Sequence, residues 1–244
     1  MRLEVFRCIN STNLALRERT QEEEGLVLAA MEQTNGLGRL GRSFMSPANT
    51  GIYFSILLKP QIANQEVTLL TTIAAVAVCE AIEKYTDKKP QIKWVNDIFI
   101  DSHKVCGILT EAALDLESGM LDYAVLGLGF NVVAPAEGWP AELQSVAGAL
   151  FDGDPAPVPG QALAAAFLNE FWPLYRTGPR SGYLDEYRSR LALAGHRVLV
   201  TPRSGTPRPA AVLGIDDECR LVVRYDGESR PAALTSGEAG VRLL

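Results

Sequence analysis

The strongest limit on the fold comes from residues 33–44, whose sequence is QTNGLGRLGRSF. The three glycines of this segment have the spacing G-x-G-x-x-G. That dinucleotide-binding motif, however, requires a helix that begins at the last glycine within a βαβ unit. Residues 43–51 instead contain Pro, Asn and Gly without a helical period, and residues 52–58 are β-branched and aromatic, which is typical of a strand. The strand after the loop therefore argues against a dinucleotide-binding fold.

The same loop has the composition of an anion-binding site. Glycine lets backbone amides approach a phosphate closely, and Arg39 and Arg42 add fixed positive charge with planar donor groups. The loop therefore predicts a nucleotide or another anionic ligand. The net charge of −6 disfavours nucleic acid as a partner, whereas a small anion responds to the local arginines.

Length and composition indicate a globular protein of one large domain, with or without a small second one. The chain has 244 residues, of which 47% are apolar and 21% charged. Its four cysteines are far apart in sequence and lie in apolar segments, which predicts buried thiols, a reducing compartment and no zinc site. We expect neither a secretory signal nor a membrane span, and a cytoplasmic location.

Hydrophobic periodicity predicts mixed helices and strands over most of the chain. After a short opening strand, further strands are predicted at residues 26–31, 52–58, 91–94, 98–100, 104–113 and 121–130, with a tight turn at residues 101–103. Helices are predicted at residues 14–19, 66–85, 163–176 and 183–193, the second with mostly one apolar face.

The composition changes near Gly195. Beyond it, short apolar runs at residues 196–200, 210–215, 221–225 and 231–234 are separated by Gly, Pro, Asp and Ser turns. Four or five strands in so short a segment are typical of a small β barrel or sandwich. We therefore predict a domain of residues 1–194 followed by a small β domain of residues 195–244.

Two groups of polar residues admit two explanations each. Lys93, Asn96 and Lys104 flank a predicted hairpin, where they are either solvated strand ends or cations and an amide that face an anionic ligand. Ser11-Thr12-Asn13 precedes good helix formers, so it is either a helix cap or the binding site of a polar ligand head. Their combination with the arginine loop favours ligand binding.

Taken together, these segments resemble the biotin protein ligase family. The matching motifs are, in chain order, Ser11-Thr12-Asn13, Gln33 with residues 36–42, residues 93–97, residues 104–109, residues 127–131 and Ser236-Gly237-Glu238. The resemblance implies an α+β fold with a class II synthetase-like mixed or antiparallel sheet flanked by helices, plus a small C-terminal SH3-like β barrel.

The resemblance also implies a two-step reaction. Biotin and ATP, the latter with Mg²⁺, would give biotinyl-5′-adenylate, and the acyl group would pass to a lysine of the biotin-acceptor domain of a biotin-dependent carboxylase. No tightly bound metal is implied, and the protein would be a monomer or homodimer. Because the family's repressor members carry an N-terminal DNA-binding domain and the first motif here begins at Ser11, no role in transcription is expected.

By the same resemblance, particular residues receive roles. Catalysis is assigned to Lys104 and Arg39. Biotin would be held by Ser11, Thr12, Asn13, Gln33, Leu37, Gly38, Arg39, Lys104 and Gly107. ATP would be held by Arg39, Arg42, Phe44, Lys93, Asn96, Lys104 and Asn131, with Asp97 as a candidate Mg²⁺ ligand.

Four positions depart from the family pattern. Leu37 stands where arginine is usual, Phe44 where tryptophan is common, Val95 where proline is usual, and Cys106 where a small residue is expected. If the side chain at position 37 normally grips phosphate, the leucine predicts weaker retention of the adenylate.

Two alternatives remain open from the sequence. A lipoate or octanoate ligase or transferase shares the fold, but the chain has no Arg-Arg followed by a Gly-Gly-Gly run and His, as that family's motif would lead us to seek. A non-catalytic biotin-binding module is the other, and the presence of both Arg39 and Lys104 favours turnover over it.

Overall fold

The structure is a computed structural model that describes residues 1–63, 66–153, 156–178, 182–202, 205–236 and 239–244. A large sheet contains β1 (Arg2–Phe6), β2 (Leu26–Ala30), β3 (Gly51–Leu58), β4 (Gln91–Lys93), β5 (Asp97–Ile100), β6 (His103–Leu114) and β7 (Leu121–Asn131). A smaller sheet contains β8 (Arg197–Pro202), β9 (Arg208–Ile215), β10 (Leu221–Tyr225), β11 (Ala232–Leu234) and β12 (Ala239–Leu243). The helices are α1 (Thr12–Arg17), α2 (Val67–Glu83), α3 (Gly160–Thr177) and α4 (Tyr183–Ser189).

The large sheet has the strand order β1-β2-β3-β7-β6-β5-β4. Its only parallel pair among the described strands is β1 with β2, so the sheet is mixed. Alternation along β3 assigns the two faces, because successive side chains point to opposite sides. Ile52, Phe54 and Ile56 join the main core with the helices, whereas Leu57 packs with Leu16 of α1. One face is therefore buried under α2 and α3, and the other carries α1.

Helix α2 is buried around most of its circumference. Thirteen of its residues are buried, including the small residues Ala74, Ala75 and Ala77. The helix contacts β6 on one side and α3 and α4 on others. The predicted single apolar face is therefore wrong: a helix covered on several sides is apolar nearly all round.

The smaller sheet is antiparallel with the order β11-β10-β9-β8-β12. Its inward side chains, such as Val198 and Val212, belong to the same core as α2. The indole Nε1 of Trp94 also donates a hydrogen bond of 2.9 Å to the Cys219 carbonyl oxygen across the two parts. The predicted fold class is confirmed, and β12 is an additional strand. The division at residues 194 and 195 stays a prediction.

Several local predictions need correction. Helix α4 ends at Ser189 instead of 193, and α1 begins at Thr12, inside the polar motif instead of after it. Cys8 is exposed, whereas Cys79, Cys106 and Cys219 are buried as predicted. Gly237 and Glu238 lie outside the described residues. In the part of the chain that is described, no helix combines the length and apolar character needed to cross a bilayer.

We expect the link between Trp94 and the smaller sheet to contribute measurably to stability. Trp94→Phe leaves the buried Cys219 carbonyl without its donor, so the free energy of unfolding should fall by about 1–3 kcal/mol beyond the cost of lost ring volume. Trp172→Phe is the matched control, since Trp172 Nε1 is buried with no hydrogen-bond partner among the described residues. Equal losses for both variants in urea unfolding would contradict this expectation.

Candidate active site

Glycines form the floor of a cleft on the α1 face of the large sheet. A Cβ atom added to Gly127 would lie 2.0 Å from Asn13 Oδ1, and one added to Gly129 would lie 2.5 Å from the Phe44 ring. A Cβ at Gly107 would meet the same ring at 2.9 Å. The absence of side chains at these three positions therefore lets Asn13 and Phe44 lie directly on the sheet.

The glycine- and arginine-rich loop folds as a small hairpin beside this floor. The Phe44 amide donates to the Gly36 carbonyl at 2.8 Å, and the Gly38 amide donates to the Arg42 carbonyl at 2.7 Å. Its tip is exposed at Leu40, which adopts a left-handed conformation with φ of 58°. No helix follows the last glycine, which agrees with the exclusion of the dinucleotide motif.

One end of the cleft is a buried polar network. The Thr12 amide donates to Gln33 Oε1 at 2.8 Å, and Gln33 Nε2 donates to Ser46 Oγ at 3.1 Å. Asn13 Nδ2 donates to Glu111 Oε2 at 2.8 Å. A cavity of about 430 Å³, partly open to solvent, extends from this network to Arg39 and Lys104. It is lined by every residue predicted to bind biotin, namely Ser11, Thr12, Asn13, Gln33, Leu37, Gly38, Arg39, Lys104 and Gly107.

Ser11 occupies the N-cap position of α1 without acting as a cap. Its backbone is extended, with φ of −156° and ψ of 134°, and among the described residues its hydroxyl makes no capping hydrogen bond. The residue is 1% exposed and lines the cleft. The geometry therefore favours ligand binding over the helix-cap explanation for this serine.

The other end of the cleft is a network of cations and amides. Lys104 Nζ pairs with Asp97 Oδ1 at 2.6 Å, and Asn96 Nδ2 donates to the same oxygen at 3.0 Å. Arg39 Nη1 donates to Asn96 Oδ1 at 3.0 Å. Burial lowers the pKa of the Arg39 guanidinium, and the Asp97 carboxylate opposes that shift. Lys104 Nζ also lies 5.5 Å from the centre of the Phe44 ring, within cation–π range.

A β-bulge brings Lys104 to this face. Gly107 on β6 faces the cleft, so strict alternation would point Lys104 to the opposite side. The pairing of β5 with β6 shifts register, however: Ile98 pairs with Cys106 but Phe99 pairs with Lys104, which makes Val105 the extra residue. The bulge re-aims the lysine towards Asp97.

A second, larger cavity of about 890 Å³, also partly open to solvent, adjoins the first. The two share five lining residues, which are Gly38, Arg39, Phe44, Asn96 and Lys104. The second cavity is also lined by Arg42 and Lys93, and by Gly240 and Val241 of β12. The shared cations therefore stand where a ligand in one cavity would meet a ligand in the other.

Comparison with known proteins identifies the family. The model of the biotin/lipoate A/B protein ligase family matches residues 5–131, slightly more than half of the chain. This chain belongs to that family.

Two relatives illustrate the range of similarity. The bifunctional ligase/repressor BirA of Bacillus spizizenii is 32% identical over 203 residues, which cover 82% of this chain and 62% of the relative. The biotin–[acetyl-CoA-carboxylase] ligase of Mycobacterium tuberculosis is 28% identical over 245 residues, 97% of this chain and 87% of the relative.

A solved structure shows the same fold. The biotin protein ligase from Aquifex aeolicus, in complex with biotin and ATP, superposes with a TM-score of 0.78 at 24% identity. The superposition covers 100% of this chain and 99% of that chain. Against the Bacillus ligase/repressor proteins, by contrast, the chain spans about 62% of their length.

Within this family member, the predicted ATP-binding residues do not all lie together. Arg39, Arg42, Phe44, Lys93, Asn96 and Lys104 line the larger cavity, but Asn131 lines neither. Asn131 Nδ2 donates to the backbone carbonyls of Lys104 at 3.3 Å and Gly148 at 3.0 Å. This amide therefore links the backbone of Lys104 to that of Gly148. Its contact with ATP stays a prediction.

The departures from the family pattern fall in two environments. Leu37 and Phe44 line the smaller cavity. Val95 and Cys106 are buried in the main core behind the cleft, and burial raises the pKa of the Cys106 thiol. The last two substitutions therefore change packing and leave the chemistry of the cleft wall untouched.

Several residues of the site have no role in the sequence prediction. Ser55 is fully buried in β3. Its position as the one serine in an otherwise apolar strand is the sequence feature that could have marked it as a site residue. Glu111 and Ser46 complete the polar network. Gly240 and Val241 are far from the other site residues in sequence, and only the fold brings them to the wall of the larger cavity. Within the described ranges, no three His, Cys, Asp or Glu side chains lie close enough together to hold a metal ion.

We expect the Phe44 ring to depend on the missing side chain at Gly129. Gly129→Ala should lower the free energy of unfolding by about 1–3 kcal/mol, because the added carbon overlaps the ring. The penalty should largely disappear in the Phe44→Ala background, which a double-mutant cycle measures. Gly182→Ala, where an added carbon meets open space, is the control. An undiminished Gly129→Ala penalty in the Phe44→Ala background would show that the ring is not the obstacle.

Proposed function

We propose that this chain is an ATP-dependent biotin ligase. It would join the biotin carboxylate to the α-phosphate of ATP, and then transfer the acyl group to a lysine of the biotin-acceptor domain of a carboxylase. One observation carries the proposal: Arg39, Asn96 and Lys104 line both cavities, so a carboxylate held in the smaller one and a phosphate held in the larger one meet at fixed cations.

This arrangement suits the chemistry of adenylate formation. A carboxylate oxygen attacks the α-phosphorus, the bond to the bridging oxygen breaks, and pyrophosphate leaves. Two anions must approach each other in this step, and preorganised cations reduce their repulsion and stabilise the charge of the transition state. Lys104 and Arg39 supply that charge, and no protein nucleophile is needed. In the second step, the acceptor lysine amine attacks the activated carbonyl carbon and AMP leaves.

The ion pair between Lys104 and Asp97 gives the lysine a defined position before substrates arrive. When the carboxylate and phosphate bind, Lys104 Nζ would exchange Asp97 for their oxygens, since the ammonium has three donors and can turn between partners. The Asp97 carboxylate would then become available to the Mg²⁺ that accompanies ATP. Mg²⁺ is usually held by phosphates, water and one or two carboxylates, and one carboxylate is what the larger cavity offers.

The head-group end of the smaller cavity favours biotin over lipoate. Ser11, Thr12, Asn13 and Gln33 are polar residues that suit the cyclic urea of biotin, whereas a dithiolane ring or an alkyl chain would offer them no further hydrogen bond. The names of the relatives from Mycobacterium tuberculosis and Aquifex aeolicus agree with this choice. We also propose a cytoplasmic monomer or homodimer without a nucleic-acid partner, which acts on a carboxylase domain.

One assay separates the candidate functions. The purified chain is incubated with ATP, Mg²⁺ and either biotin or lipoate, and both pyrophosphate release and label transfer to a biotin-acceptor domain are followed. We expect both signals with biotin. Activity with lipoate alone would indicate a lipoate ligase, and biotin binding without pyrophosphate release would indicate a non-catalytic binding module.

Lys104→Ala should abolish adenylate formation. The substitution removes the point charge that lies between the two cavities, so pyrophosphate release should fall at least a hundredfold, while the circular dichroism spectrum stays unchanged. Lys84→Ala is the control, because Lys84 is an exposed lysine paired with Glu170 on the surface. Substantial activity in Lys104→Ala would mean that this lysine is misassigned.

Leu37→Arg should retain the adenylate more tightly. Leu37 gives the smaller cavity an apolar wall at a position where the family usually has arginine. An arginine there adds a planar donor group for the phosphate, so release of biotinyl-5′-adenylate into solution should slow several-fold relative to wild type. Release is measured after rapid separation of protein from free nucleotide, and equal rates would refute the expectation.

A further inference from the structure

We propose that Ser55 is a positioning residue that fixes the direction of hydrogen bonding at the biotin-binding end. Through Thr12 and Asn13 it would make the cleft select a ligand head that donates an N–H. The inference rests on the proposed function and assigns specificity to a residue outside the family motifs.

Ser55 lies at the centre of β3 and faces α1. Its side chain is 0% exposed, and Ser55 Oγ lies 2.6 Å from Asn13 Oδ1 and 2.7 Å from Thr12 Oγ1. It pairs in register with Gly127, whose missing side chain leaves room for the Asn13 amide. The Ser55 hydroxyl therefore links Thr12 and Asn13 from the side of the sheet.

The direction of these bonds follows from the far end of the network. The Glu111 carboxylate accepts from two donors, Asn13 Nδ2 at 2.8 Å and Arg17 Nη1 at 3.2 Å. An ionised carboxylate only accepts hydrogen bonds, so the amide nitrogen of Asn13 must face it. The amide oxygen then faces Ser55, and the Ser55 hydroxyl must donate its hydrogen to it.

With its own hydrogen committed, Ser55 can only accept from Thr12. Gln33 Oε1, 3.1 Å from Thr12 Oγ1, is likewise an acceptor, so both protein partners draw the Thr12 hydrogen inward. Thr12 Oγ1 therefore presents lone pairs to the cleft. It can accept a hydrogen bond from the N–H of a cyclic urea, which neither a dithiolane ring nor an alkyl chain supplies.

Ser55→Ala tests the inference. Without the serine, Asn13 Oδ1 loses its donor and Gln33 Oε1 alone draws the Thr12 hydrogen inward, so the KM for biotin should rise about tenfold while kcat and the KM for ATP change less than threefold. Selectivity for biotin over octanoate, measured as a ratio of kcat/KM values, should fall by a similar factor. Thr71→Val is the matched control: it removes a hydroxyl pair of 2.7 Å with Thr110 elsewhere in the structure and should leave both values unchanged.

Glu111→Ala provides a second variant at the more exposed end of the network. Because it releases the Asn13 amide, it should raise the KM for biotin in the same way, and combination with Ser55→Ala should add little further. An active wild type with an unchanged biotin KM in Ser55→Ala, or fully additive effects, would overturn the inference alone. A wild type inactive towards biotin would instead overturn the proposed function, and the inference with it.

Discussion

The site depends on the alternation of side chains along two central strands. In β3 and β7 the residues that face the helices are large and apolar, such as Phe54 and Phe130, and they anchor the main core. The residues on the opposite face include Ser55, Gly127 and Gly129, and the two glycines make room for Asn13 and Phe44 on the sheet. Alternation along these strands therefore gives one face to the apolar core and the other face to the floor of the cleft.

Opposite charges keep the junction of the two cavities stable before substrates bind. Arg39 and Lys104 are partly buried cations, and Asp97 and Asn96 supply the compensating carboxylate and amide oxygens. Such compensation is needed, because an unpaired charge in a poorly solvated site is costly. The same cations remain available to a carboxylate and a phosphate, since their protein partners are exchangeable side chains. Under the proposed function, the same four residues would both balance the charges of the free protein and stabilise the charge that develops in the reaction.

The smaller sheet takes part in the site as well as in the core. Its inward side chains pack with α2, and Trp94 donates a hydrogen bond to Cys219 within it. Gly240 and Val241 of β12 then line the larger cavity beside Arg42 and Lys93. The shape of that cavity is therefore coupled to the position of a strand near the end of the chain.

Local patterns in the sequence determined the types of most elements, the turn at residues 101–103 and the absence of a dinucleotide fold, because periodicity and turn chemistry are short-range properties. The motif order also grouped the residues that line the smaller cavity. Only the tertiary structure decided the burial of α2 on several sides, the exposure of Cys8, the bulge that turns Lys104 towards Asp97 and the pairing of Asn131 with backbone carbonyls. Those features depend on contacts between distant segments, which no local pattern encodes.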